Sequence, residues 1–284
     1  MAPPQPFILV PLYIYPTATS WQPLLDAAAA HPELAFKVVV NPANGPGSSE
    51  LPDANYLAGL AALAALSNVQ VLGYVHCSWG QRERAAVEQD VLVYAGWASR
   101  SVAAGGAPLR VDGIFLDEAP ADAGQVGAMA ATARFIRGRL DVRPAATVIY
   151  NPGMVVHAAF YQAADHVVVF ENFTAELGAR HVQAALEKLT PELRRKSVVL
   201  VHSCGTHEQQ LRLSERVLVE YGFPGQLITT DAGYTAWCGH WEGYWRGFAA
   251  VAARWEDEQS RHRKPGAGDS NEAPGVPPNE EVRR

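Results

Sequence analysis

The chain has 284 residues, 48% hydrophobic and 18% charged, with a net charge of −6. That length supports one large core or two small ones, and the acidic balance argues against a basic nucleic-acid surface, so no nucleic-acid partner is expected. No run approaches the ~18 apolar residues of a bilayer span, so no membrane partner is expected either.

Three scattered cysteines, Cys77, Cys204 and Cys238, make neither a disulfide framework nor a CxxC metal motif, and they read as small buried hydrophobes. The opening MAPPQPFILVPLYIYP has no basic n-region and no clean apolar h-region. Residues 1–6 are therefore expected to be a short arm rather than a signal peptide, so the sequence alone reads as cytoplasmic and leaves the localisation open.

From there one pattern repeats. FILVPLYIY (7–15) predicts a strand and SWQPLLDAAAAH a helix. AFKVVVN (35–41) precedes the helical DANYLAGLAALAAL, and VQVLGYVH (69–76) precedes RERAAVEQDVLVYAGWASRSV. VDGIFLDE (111–118) is followed by AGQVGAMAATARFIRGRL, and ATVIYN (146–151) by GMVVHAAFYQA, read as a helix over 153–163. HVVVFEN (166–172), SVVLVHS (197–203) and QLITTD (226–231) complete the strands, with ARHVQAALEKL, THEQQLRLSERVLVEYG and GYWRGFAAVAARW as their helices. Residues 257–284, charged and rich in Pro and Gly, are expected to be a disordered tail.

Strands apolar on both faces and alternating with helices imply a parallel sheet covered by helices. Eight such units in roughly 250 residues fit a single-domain (β/α)8 TIM barrel over 7–256. A doubly wound open sheet is the runner-up, but no GxGxxG or GxxxxGK[ST] follows any strand.

In such a barrel the active site lies at the C-terminal strand ends. Those ends are Tyr13 and Tyr15, Asn41, Tyr74 and His76, Asp117 and Glu118, Tyr150 and Asn151, Glu171 and Asn172, His202 and Ser203, and Thr230 and Asp231. Polar groups at one mouth cost desolvation unless paired, so this one-sided polarity reads as a site.

Alternation puts Gly113 and Asp117 on the inner face, with Glu118 just past the strand. The competing role for these acids is capping the next helix, but Asp122 is better placed for that. Glu171 ends the sixth strand. Strands four and six are two apart, so inward carboxylates would approach to about 5–6 Å, the retaining-glycosidase separation, whereas inverting enzymes need more. Aromatics crowd the same rim: Tyr13, Tyr15, Trp79, Tyr150, Phe173, Tyr234, Trp237 and Trp241. Sugar rings stack on such faces while Asn, His and Asp take their hydroxyls.

Rival chemistries fit the strand ends less well. His76, Glu171, His202, Asp231 and His240 could meet around one metal, but the HxH of amidohydrolase-type barrels is missing from strand one. Lys37 and Lys196 fall at strand beginnings, so a Schiff-base lysine is not expected, and no GxSxG marks a serine nucleophile. Chitinase-type barrels carry DGxDxDxE on strand four; here Phe115 replaces the first interior acid and Glu118 follows Asp117 directly, which favours direct carboxylate catalysis.

LVPLYIYP, VVVNPANGPG, VLGYVHCSWG, DGIFLDEAP with YNPG, and VVFEN, in that order, resemble the spherulin 4 (spherulation-specific) family. The resemblance covers residues 7 to about 255. It implies a (β/α)8 fold and a link to glycoside hydrolase family 135, whose characterised members cleave α-1,4-linked N-acetylgalactosamine in galactosaminogalactan. It implies Asp117 as nucleophile and Glu171 as acid/base, with Glu118 orienting a sugar hydroxyl or tuning its neighbours. Relatives are often secreted or wall-associated.

The expected partner is therefore an oligo- or polysaccharide bound by Tyr13, Tyr15, Asn41, His76, Trp79, Asn151, Asn172, His202, Asp231, Tyr234 and Trp237, without cofactor or metal, on a monomer. A non-catalytic carbohydrate-binding or spore-coat protein on the same barrel is the alternative.

Overall fold

The computed structural model describes residues 4–261. Eight parallel strands close into a barrel in sequence order. They are β1 (Phe7–Leu12), β2 (Ala35–Val40), β3 (Val69–His76), β4 (Gly113–Asp117), β5 (Thr147–Asn151), β6 (His166–Phe173), β7 (Ser197–His202) and β8 (Gly225–Ile228). The ring shuts where Phe7 and Ile8 pair with Gly225 and Gln226. Val, Ile, Leu and Phe fill both faces because barrel side chains pack inward and the other face meets helices.

The helices are α1 (Gln22–Ala30), α2 (Ala54–Ala64), α3 (Arg84–Ala103), α4 (Val126–Arg139), α5 (Thr174–Leu177), α6 (Arg180–Glu187), α7 (Pro191–Arg194), α8 (His207–Val219) and α9 (Trp241–Arg261). Local chemistry starts several of them. The Asp53 side chain accepts from the backbone N–H groups of Asn55 and Tyr56 to cap α2, and Thr206 with Gln209 forms a capping box on α8. Asp122 accepts the Gly124 N–H at 2.6 Å and starts the 3₁₀ turn that leads into α4. α9 runs on to Arg261, past the expected barrel end at 256, and the tail expected after it lies outside the described residues from 262 on.

One expected helix is absent. Residues 153–163 hold only a 3₁₀ turn, Ala158–Gln162. The paired β-branched Val155 and Val156 resist helical χ1 restriction.

Pairing register fixes which side chains face inward. His76 pairs with Asp117 and Asp117 with Asn151, so the three stand level at the mouth. Tyr74 pairs with Phe115 one layer below. Gly113, at the base of β4, has no room for a side chain: a Cβ there would lie 2.1 Å from the Thr147 carbonyl oxygen. Absence of that atom lets β4 and β5 approach closely enough to bring Asp117 beside Asn151.

In β6 the pairing shifts between Val168 and Phe170. This bulge adds one residue, so Glu171 pairs with Leu200, and Phe173 with His202, in the inward set. Unbroken alternation from His166 would have turned Phe170 and Asn172 inward instead.

Candidate active site

Asp117 and Glu171 meet at the mouth through Asn151. The Asn151 amide donates to Asp117 Oδ1 at 2.6 Å and, through the same Nδ2, to Glu171 Oε2. Two oxygens bonded to one nitrogen lie within two hydrogen-bond lengths, roughly 6 Å at most. Asn151 Oδ1 accepts the Gly153 N–H at 3.1 Å, so the amide is engaged on both sides. The other oxygen of Asp117 accepts the Tyr74 hydroxyl at 2.7 Å.

Among the described residues, no ion pair involves Asp117, Glu118 or Glu171. Burial pushes the Glu171 carboxyl up to about 7, and the charge of Asp117 adds to it against the hydrogen bond from Asn151. The Tyr234 hydroxyl also favours the Glu171 carboxylate, yet it is buried and makes no hydrogen bond of good geometry. Burial and the charges of Asp117 and Glu171 hold the phenols of Tyr13 and Tyr234 above their ordinary range, so both remain protonated. Tyr13 packs edge-on against Tyr74 at 5.7 Å and Tyr234 at 6.3 Å, forming an aromatic wall beside the two acids.

Glu118 parts from its neighbour. Its φ of 49° is left-handed, which turns the chain sharply after β4. Its carbonyl accepts the Trp79 N–H at 2.7 Å, and the Asp117 carbonyl accepts the Cys77 N–H at 2.8 Å. The Glu118 charge is felt by Tyr74 and Cys77 of the β3 side. Ser78 and Trp79 also have positive φ, 46° and 50°, and they hold the Trp79 indole 64% exposed at the rim.

The remaining expected residues divide. His76 turns Nδ1 to the Asn44 carbonyl at 3.2 Å, and His202 sits 6.3 Å from both Phe173 and Tyr234, ring to ring. Asn172 faces outward, where it lines a groove of about 240 Å³ with Met154, Phe170, Glu176 and His181.

Others are spent on the scaffold. Tyr15 donates to Asp53 at 3.0 Å, Asn41 accepts the Gly45 N–H at 2.9 Å, and Asp231 accepts the Gly239 N–H at 3.3 Å. Trp237 donates to the Ser20 carbonyl at 2.6 Å and Trp241 to the Pro23 carbonyl at 3.0 Å, which ties the approach to α9 and its first residue to the loop before α1 and the first turn of α1. Tyr150 is not on the rim. It alternates outward from Asn151 and gives its hydroxyl to the Met129 carbonyl of α4 at 2.8 Å.

Among the described residues, no group of three or more His, Cys, Asp and Glu side chains could hold a metal ion. His76, His202, Glu171, Asp231 and His240 do not converge. The contact that sequence reasoning did not single out is Tyr74 on Asp117. Alternation places Tyr74 inward, two residues before His76, and its phenol is long enough to reach up from the layer below.

Comparison with known proteins gives consistent matches. A family model described as spherulation-specific family 4 matches residues 7–248. Spherulin-4 of Physarum polycephalum is 31% identical over 190 residues, 67% of this chain and 51% of that protein, so the match spans about half of the relative's length. The crystal structure of Aspergillus clavatus Sph3 in complex with GalNAc aligns with a TM-score of 0.78 at 31% identity, covering 87% of this chain and 98% of that one. The endo-β-1,4-mannanase of Thermotoga petrophila, at 9% identity and a TM-score of 0.55 over 92% of this chain and 77% of that one, shares the fold alone.

Proposed function

We propose, from the premise that this chain belongs to the spherulation-specific family 4, that it is a glycoside hydrolase acting on an amino-sugar polysaccharide. The unit proposed is α-1,4-linked N-acetylgalactosamine, as in galactosaminogalactan; a structural relative was solved with GalNAc. The observation that carries this reading is the single Asn151 amide holding Asp117 and Glu171 together.

Two carboxylates in different environments take different roles. Glu171, raised to about 7 by burial, keeps its proton at mildly acidic pH and is the proton donor. Asp117 accepts hydrogen bonds from Tyr74 and Asn151 and is the nucleophile. The two oxygens that share Asn151 Nδ2 lie within roughly 6 Å, which supports a retaining mechanism, because the carboxyl groups of an inverting pair stand about 6.5–9.5 Å apart to admit water.

In the first step an Asp117 oxygen forms a bond to the anomeric carbon. The glycosidic C–O bond breaks, and Glu171 gives its proton to the departing sugar oxygen. In the second step Glu171 takes a proton from water, whose oxygen bonds to the anomeric carbon as the Asp117 ester bond breaks. Glu118, beside Asp117 on the turn after β4, orients a sugar hydroxyl, and the exposed Trp79 offers a stacking face.

The test is reducing-end release from galactosaminogalactan by wild type, Asp117→Asn and Glu171→Gln, each with and without EDTA. Release by wild type alone, indifferent to EDTA, supports a metal-independent two-carboxylate hydrolase. Retention of the polymer without release by wild type would instead make the barrel a carbohydrate-binding protein.

A further inference from the structure

We infer that Tyr74 is a positioning residue of this site, the group that aims the Asp117 carboxylate at the substrate. Its kinetic role rests on the glycosidase reading above. Its hold on Asp117 does not.

Asp117 has two side-chain donors, one on each oxygen: Asn151 at 2.6 Å and Tyr74 at 2.7 Å. Together they fix the plane of the carboxylate. Asn151 divides its amide between two acids. Tyr74 is the donor that Asp117 does not share with Glu171.

The phenol is held in place from several directions. Tyr74 faces inward from β3, and its carbonyl accepts the Tyr94 hydroxyl at 3.0 Å. The Tyr94 ring lies where a Cβ on residue 73 would stand, 2.7 Å away, so Gly73 is what lets α3 approach this close. Tyr13 meets the Tyr74 ring edge-on at 5.7 Å, and Phe115 lies below it at 6.4 Å. A side chain so enclosed does not swing away when substrate enters.

The groups that face Asp117 are Glu171 on β6, the phenols of Tyr13 and Tyr234, the Cys77 thiol and the adjoining Glu118. His76, its register partner, turns Nδ1 to the Asn44 carbonyl, and the nearby Arg82 donates to the His76 carbonyl at 3.1 Å and to Asp90 at 2.7 Å. Among the described residues no lysine or arginine pairs with Asp117, so its orientation depends on Tyr74 and Asn151. Burial and the Asp117 charge hold the Tyr74 phenol above its ordinary range, so it stays a donor at any working pH.

The experiment compares wild type with Tyr74→Phe, and with Tyr74→Leu should the phenylalanine variant fold poorly. Crystal structures of wild type and variant read the Asp117 carboxylate. Loss of the Tyr74 hydroxyl frees one of its oxygens, so the carboxylate should rotate out of the plane it holds between Tyr74 and Asn151. On galactosaminogalactan, kcat should fall about tenfold or more with KM within about twofold. A carboxylate that keeps its plane overturns the assignment and leaves Tyr74 a core residue, whatever happens to the rate. Should wild type cleave no polymer, the glycosidase reading falls, and the two structures still decide Tyr74.

Discussion

Asp117 and Glu171 accept hydrogen bonds from one nitrogen, Nδ2 of Asn151. An amide is suited to this because its two N–H bonds diverge in one plane, so each carboxylate is held at a fixed distance and angle from the other. A lysine would give charge without that geometry. The two acids also come from strands that do not touch, β4 and β6, with β5 supplying the spacer between them.

Asn151→Ala should therefore damage kcat more than KM. Both amide hydrogens and the carbonyl oxygen of Asn151 are engaged within the protein, which leaves little for substrate. A fall in kcat of about a hundredfold with KM within about threefold is expected, since misplacement of reacting groups by about 1 Å costs that much. Steady-state kinetics on the polymer checks it. A large rise in KM with kcat intact would instead make Asn151 a sugar ligand.

Glu171 sets an upper pH limit and carries a stability cost. As proton donor it must be protonated, so activity should fall about tenfold per unit above pH 7, where its carboxyl titrates. Its folded value is raised from 4.5 to about 7, so the folded state binds the proton more tightly than the unfolded chain does. Stability then declines as pH rises from 4.5 to about 7 and stays reduced above that. Glu171→Gln should abolish activity and raise stability by roughly 2–3 kcal/mol at pH 8, with little change at pH 4. Urea unfolding at the two pH values reads this, and equal effects at both would refute it.

Trp79 should govern affinity more than rate. Its indole is 64% exposed on a loop fastened to the turn after Asp117 by the Trp79 N–H bond to the Glu118 carbonyl. A lost stacking face of about 1.4 kcal/mol corresponds to a tenfold rise in KM. Trp79→Ala should show that rise with kcat within about twofold. An unchanged KM would mean that the indole does not meet the polymer.

The barrel was legible because its strands are apolar on both faces, a pattern that survives any local irregularity. Asp117 was legible too: β4 is regular, so Gly113, Phe115 and Asp117 alternate inward without interruption. Glu171 was a different case. The bulge between Val168 and Phe170 reverses the alternation, and nothing in VVVFEN marks it. The same alternation sends Tyr150 to the Met129 carbonyl, although its aromatic character invited a place on the rim. Tyr15, Asn41 and Asp231 have sugar-binding chemistry, and each also makes a hydrogen bond within the loops, contacts that no spacing encodes.

Lys37 marks the opposite end of the barrel, and its charge is the reason to expect a stability change there with no effect on the mouth. It faces inward from β2, with Nζ donating to Gln70 Oε1 and standing 4.9 Å over the Phe7 ring. Burial lowers its pKa from 10.5 to about 8, more than the charges of Asp165 and Asp112 restore. The unfolded chain therefore binds this proton more tightly than the folded protein. Below pH 8 the full penalty applies, and stability rises as pH climbs from about 8 toward 10.5. Lys37→Met keeps the stem and removes the charge, and the exposed Gln70 can take water in exchange. It should raise stability by about 1–3 kcal/mol at pH 7 and by much less near pH 10.5, with polymer cleavage unchanged. Loss of stability at pH 7 would show that the ammonium's contacts with Gln70 and Phe7 outweigh its desolvation.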